Sequence, residues 1–161
     1  MLTIAACAAL AFAGCGDDDS TESNTGTGET TAAQSDLTDT KTKPVIEVPE
    51  GEPPTVLVEE DLVEGSGPGA KKGDEVTVQY VGVGYESGEE FDASWGGEPF
   101  SFQLGGGQVI KGWDEGVEGM KVGGRRQLTI PPDLGYGEAG FPPAIGPNET
   151  LIFVVDLVAT K

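Results

Sequence analysis

From Glu75 to Tyr85 the chain reads EVTVQYVGVGY, which puts Val76, Val78 and Tyr80 on one side of an extended backbone, with Gly82 continuing that side. Alternation of period two is the mark of a half-buried antiparallel strand. The period changes in GQVIKGWDEGVEGM, Gly107 to Met120, where Ile110, Trp113 and Val117 take i, i+3, i+7 spacing and form one helical stripe. Glycines inside that run weaken a helix, so the spacing predicts a short one held by packing rather than by propensity. Around it, TVLVEED (Thr55–Asp61), EFDAS (Glu90–Ser94), PFSFQLG (Pro99–Gly105), RRQLTI (Arg125–Ile130) and LIFVVDLVA (Leu151–Ala159) read as strands. GSGPGAKKGD (Gly65–Asp74) is turn-rich, and Pro131 to Thr150 is a long loop with five prolines. Many strands and one central helix predict an α+β fold, an antiparallel sheet packed on one short helix.

Composition divides the 161 residues into three parts. Residues 16–53 are rich in Asp, Glu, Ser, Thr, Gly and Pro and poor in large apolar groups, the signature of a disordered acidic linker. Residues 54–161 carry the recurrent apolar runs and suffice for a single core. The net charge is −19. A surface of that sign repels phosphate backbones, so nucleic acid is excluded as a partner. The chain has no histidine, and its two cysteines, Cys7 and Cys15, both precede the linker. The folded part therefore holds no disulfide, no thiol nucleophile and no histidine-based triad. No cofactor or metal is expected, and no coiled-coil pattern argues against a monomer.

Residues 1–15 read as an address. MLTIAACAALAFAG is apolar or small throughout, too short to span a bilayer, and ends at Cys15 before GDDD. The segment FAGC, Phe12 to Cys15, resembles a bacterial lipobox, although IAAC ending at Cys7 has the more usual aliphatic position. Cys15 is favoured because polar chain follows it. Lipidation there would anchor an extracytoplasmic protein to the cell membrane, with residues 16–53 as a tether of roughly 35 Å typical span.

The aromatic and aliphatic residues Tyr80, Phe91, Phe100, Val109, Ile110, Trp113, Tyr136 and Phe153 are spread over three segments with one carboxylate, Asp92, beside Phe91. No nucleophile–base pair accompanies them. Such a set suggests a dry pocket that grips an apolar group rather than one that breaks bonds. The order YVG, FDAS, PFSFQLG, QVIKGWDEG, LTIPPDLGYG and LIF resembles the FKBP-type peptidyl-prolyl isomerases from about Thr55 to Thr160.

That resemblance implies a curved antiparallel sheet wrapped around one short helix, with the pocket between them. It implies Trp113 as floor, Tyr80, Phe91, Phe100 and Phe153 as walls, and Val109 and Ile110 as rim, the Ile110 N–H bonding the ligand. Asp92 is implied as the polar wall residue and Tyr136 as hydroxyl donor to a substrate carbonyl. Asp92, Tyr136 and Trp113 are thus the expected catalytic residues. Phe141 to Pro147 would overhang the pocket, adding Phe141 and Ile145 to the substrate-binding set. Phe141 and Ala144 depart from the family pattern at that loop tip. Isomerisation of X–Pro bonds in secreted or envelope proteins is the expected activity, with Pro-containing chains and macrolides as ligands. A chaperone or Pro-peptide binding module with little turnover, or a displayed scaffold with a basic partner, are the rival readings.

Overall fold

A computed structural model describes residues 37–161. The apolar N-terminal segment, Cys7, Cys15 and most of the expected tether lie outside the described residues. Six strands form one antiparallel sheet: β1 (Val58–Val63), β2 (Glu75–Gly84), β3 (Glu90–Ala93), β4 (Phe100–Gln103), β5 (Arg125–Ile130) and β6 (Leu151–Thr160). Their order is β1-β5-β6-β2-β3, with β4 also on β2. The two short strands share one edge of β2: Glu75–Val78 pairs with β4, and Val81–Val83 with β3. Between them, residues 95–99 lie outside the named strands, while Ser94 still bonds the Tyr80 backbone.

The one regular helix within residues 39–161, α1, is Lys111–Gly116, shorter than the apolar stripe. Ile110 stays extended (φ −61°, ψ 149°) at its start. The glycines that weaken α1 also let it approach the sheet. A Cβ at Gly112 would stand 2.5 Å from the Ile130 side chain, and one at Gly116 2.6 Å from Leu128. Two 3-10 turns, Pro132–Leu134 and Gly137–Ala139, lie in the long loop before β6.

Alternation along the strands sorts the core into two faces. The inner face, under α1, buries Val76, Val78, Phe102, Trp113, Val117, Leu128, Ile130, Leu151, Phe153 and Val155 in one cluster. The outer face buries Val81, Val83, Tyr85 and Ile152. What covers that outer face was expected to be disordered. Ile46 and Val48 pack on it, Pro44 is buried, and Lys43 pairs with Glu90 at 2.7 Å. The stretch read as linker to residue 53 is therefore docked in its last part. The reason is that a few apolar residues among many polar ones find an apolar sheet face.

Consecutive residues Arg125 and Arg126 serve opposite faces. Arg125 is fully buried on the outer side, where it holds Asp156 by two hydrogen bonds of 2.5 and 2.7 Å. It also donates to the carbonyls of Leu37 and Thr42. Arg126, on the inner side, donates to the Gly116 carbonyl at the end of α1 and to Asp61 of β1. It thereby satisfies a carbonyl left open at the helix end.

Candidate functional site

The cleft lies between the inner face of the sheet and the approach to α1. Its lining is Tyr80, Phe91, Asp92, Phe100, Gln108, Val109, Ile110, Trp113, Tyr136 and Phe153, around a volume of about 250 Å³. Trp113 closes the bottom at 4% exposure. Tyr80 meets its indole edge to face at 5.0 Å between centroids, and Phe153 does so at 5.2 Å. Phe91 stands on Phe153 at 5.4 Å, again edge to face. These are the geometries that aromatic quadrupoles favour, so the walls support one another. The Trp113 Nε1 is buried and has no hydrogen-bond partner among the described residues.

Gly82 makes this wall possible. It lies on the inner side of β2, and a Cβ there would come within 2.7 Å of both Phe91 and Phe153. On the same strand Tyr80 is fixed by Ser94: the Tyr80 N–H donates to Ser94 Oγ at 2.9 Å, and the Ser94 N–H to the Tyr80 carbonyl at 3.0 Å. The rim is tied to α1 by Asp114, whose carboxylate accepts the N–H groups of Gly105 and Gly107 at 2.8 and 3.0 Å. That clamp fixes the turn leading into Val109 and Ile110.

Asp92, Tyr80 and Tyr136 bring ionisable groups to the cleft. Asp92 accepts the Tyr80 hydroxyl at 2.6 Å. Burial first, then this hydrogen bond and the Asp92 charge, push the Tyr80 phenol well above its ordinary pKa. Burial and the Asp92 charge raise Tyr136 likewise. Both phenols are thus neutral donors at physiological pH. Tyr136 is 38% exposed, and among the described residues its hydroxyl and the Ile110 N–H meet no acceptor. Both remain available to carbonyls of a bound chain.

Of the residues expected here, Asp92, Tyr136, Trp113, Tyr80, Phe91, Phe100, Val109, Ile110 and Phe153 come together. Ile145 does not: it is buried in the inner core at 3% exposure, because it pairs with Phe141 across the loop and turns inward. Phe141 does not line the cleft either. It is 62% exposed and leans on Tyr136 at 5.7 Å, outside the mouth. Sequence reasoning missed Gln108, Ser94 and Asp114. The signal for Asp114 was available, since a carboxylate in the first turn of a helix beside a run of glycines can accept their N–H groups.

Residues 67–158 match the family model of the FKBP-type peptidyl-prolyl cis-trans isomerases. An FK506-binding protein of Streptomyces anulatus is 60% identical over 119 residues, 73% of this chain and 96% of that protein. The FK506-binding protein of Neisseria meningitidis serogroup A is 53% identical over 103 residues, 63% of this chain and 94% of its own length. Among solved structures, FkpA from Escherichia coli superposes with a TM-score of 0.59 at 46% identity, over 65% of this chain and 48% of that one. AtFKBP13 superposes with a TM-score of 0.61 at 37% identity, over 66% of this chain and 98% of that one.

Proposed function

Because the chain belongs to the FKBP-type peptidyl-prolyl cis-trans isomerase family, we propose that it catalyses rotation about X–Pro bonds in secreted or cell-envelope proteins as they fold. The domain is a peptidyl-prolyl cis-trans isomerase; its substrates and its address are the proposal. One observation carries the reading of the site: an aromatic cleft floored by Trp113, with the Tyr136 hydroxyl and the Ile110 N–H unengaged at its edge.

The chemistry asks for no more than that. A peptide bond resists rotation by roughly 18–20 kcal/mol because twisting ends amide resonance, and an X–Pro bond isomerises in tens to hundreds of seconds unaided. Rotation makes and breaks no covalent bond, so no nucleophile is required. The planar amide is more charge-separated than the twisted one, and a cleft walled by Tyr80, Phe91, Trp113 and Phe153 favours the less polar form. The prolyl ring is held by apolar contact while Tyr136 and Ile110 fix flanking carbonyls. Catalysis follows to the extent that the twisted form is bound better than either planar form.

The address rests on sequence. Cys15 after an apolar segment supports a lipid anchor on the outer side of the cell membrane, with the chain after it as tether. The monomeric state and the macrolide ligands are part of the same proposal. Phe141, exposed beside Tyr136, extends apolar surface past the mouth and favours a second, compatible role in retaining unfolded segments.

The test is cis/trans isomerisation of short X–Pro peptides by the purified chain, with Tyr136→Phe and Asp92→Ala alongside. Acceleration that drops about tenfold in the variants while their circular dichroism is unchanged is the expected result. A folded chain that binds the peptides without accelerating them would leave only the retaining role. Mass spectrometry of the membrane fraction checks Cys15, and an unmodified soluble chain would remove the anchor.

A further inference from the structure

The two stretches that supply most of the cleft lining are one-sided in charge, the nearest cation to the rim turn being Lys72, whose side chain packs on Gly105. Between Gly73 and Ile110 the chain carries seven Asp or Glu and no Lys or Arg, and between Pro131 and Thr150 three acids and again no cation. All but Trp113 and Phe153 of the lining comes from these two stretches. Several cations are committed elsewhere: Arg125 to Asp156 on the outer face, Arg126 to Glu59 and Asp61, Lys121 to Glu64, and Lys43 to Glu90. Lys111, exposed at the start of α1, is the one cation next in sequence to a lining residue.

Within the cleft, Asp92 is exposed, accepts a single hydrogen bond from Tyr80, and has no cationic partner among the described residues. An ionised carboxylate has about four acceptor positions, so most of its capacity is open to a ligand. Glu98, two residues before Phe100, and Glu138, two residues after Tyr136, are exposed as well. An apolar cleft with one open carboxylate in its wall, and exposed carboxylates two residues along the chain from two of its lining rings, is complementary to a proline flanked by positive charge. A cleft lined by one sign of charge also raises the encounter rate of the opposite sign.

We propose that this site selects X–Pro segments bearing Lys or Arg next to the proline, the substrate cation pairing with Asp92 in a mouth biased by Glu98 and Glu138. The proposal rests on the isomerase reading and names its substrate class.

The experiment compares peptides identical except for Lys, Leu or Glu beside the proline, placed in turn before and after it, with the full chain at low and high salt. The expected result at low salt is kcat/KM about three- to tenfold higher for Lys than for Leu, and lower for Glu, converging at about 0.5 M salt as screening takes hold. Asp92→Asn is expected to bring the Lys-to-Leu ratio close to one, whatever its effect on the absolute rate. A Glu98→Gln, Glu138→Gln double variant is expected to keep the Leu rate and lower the ratio. Equal rates on all three peptides at low salt, with the Leu peptide clearly accelerated, overturn the substrate class and leave the isomerase intact. If no peptide is accelerated, the isomerase reading fails, and the Kd of the same peptides from tryptophan fluorescence decides: a salt-sensitive Lys preference supports the selection, equal values overturn it.

Discussion

The Tyr80 hydroxyl donates to Asp92 at 2.6 Å, joining β2 to β3 directly at the cleft wall. The bond leaves the tyrosine neutral and the carboxylate oriented, and the burial that raises the phenol pKa belongs to the same wall.

A pH dependence follows from its sign. Below the ordinary tyrosine value of 10.0, Tyr80 is protonated in both the folded and unfolded chain and stability does not change on its account. Above it the unfolded chain ionises first, because the folded pKa is higher, and stability is lost as pH rises. Tyr136 acts in the same direction. Denaturant unfolding from pH 8 to 11.5 should show a flat region and then a decline, and Tyr80→Phe should make the decline shallower. A decline of equal slope in the variant would refute the assignment.

Gly82→Ala is expected to damage the cleft more than the fold. The new methyl meets Phe91 and Phe153 at 2.7 Å, so both rings of the cleft wall must shift. Overpacking of this kind costs about 1–3 kcal/mol. The measurement is kcat/KM beside a chemical melt: activity should fall at least tenfold in a chain still folded at 25 °C.

Glu149 braces the loop that bears Tyr136. Its carboxylate accepts the Gly146 N–H at 2.6 Å and the Ser87 hydroxyl at 3.4 Å, linking the loop to the β2–β3 turn. Glu149→Ala frees Gly146 and loosens Phe141 and Tyr136 together, at a cost of about 1 kcal/mol. The expected signature is a raised KM with kcat changed less than twofold, and Glu149→Gln should restore part of the loss. An unchanged KM would show that the loop holds itself.

These residues mark what could be read in the chain beforehand. Val76, Val78 and Tyr80 announce β2 because side chains alternate on a strand and one side is apolar. Trp113 and Val117 announce α1, but Ile110 shares their spacing while remaining extended, so the stripe overstates the helix. The aromatic lining was legible through its resemblance to a family, not through periodicity, since Phe91 and Phe153 meet only when the sheet is assembled. Ile145 misled for the same reason: whether a loop aliphatic faces ligand or core depends on a pairing with Phe141 that sequence spacing does not encode. Residues 43–48 looked like tether because three apolar residues among charges carry no detectable period.

Arg125 tests that docked segment. Arg125→Ala leaves Asp156 buried without its cation, a loss of about 3–5 kcal/mol. Removing residues 37–53 exposes Ile46 and Val48's partners and uncovers the same pair, and is expected to lower the unfolding midpoint substantially while cis/trans activity at 10 °C persists. Equal midpoints with and without these residues would show that they contribute nothing to the domain.

The docking of Leu37 and Thr42 on Arg125 also sets which way the domain looks. Their carbonyls meet the arginine on the outer face, while the cleft opens on the inner one. The polypeptide thus enters from behind, like a lamp hung by its back plate. Leu37 and Thr42 lie on the side away from the mouth. A chain entering the mouth therefore meets the face of the sheet opposite to the one that residues 37–48 cover.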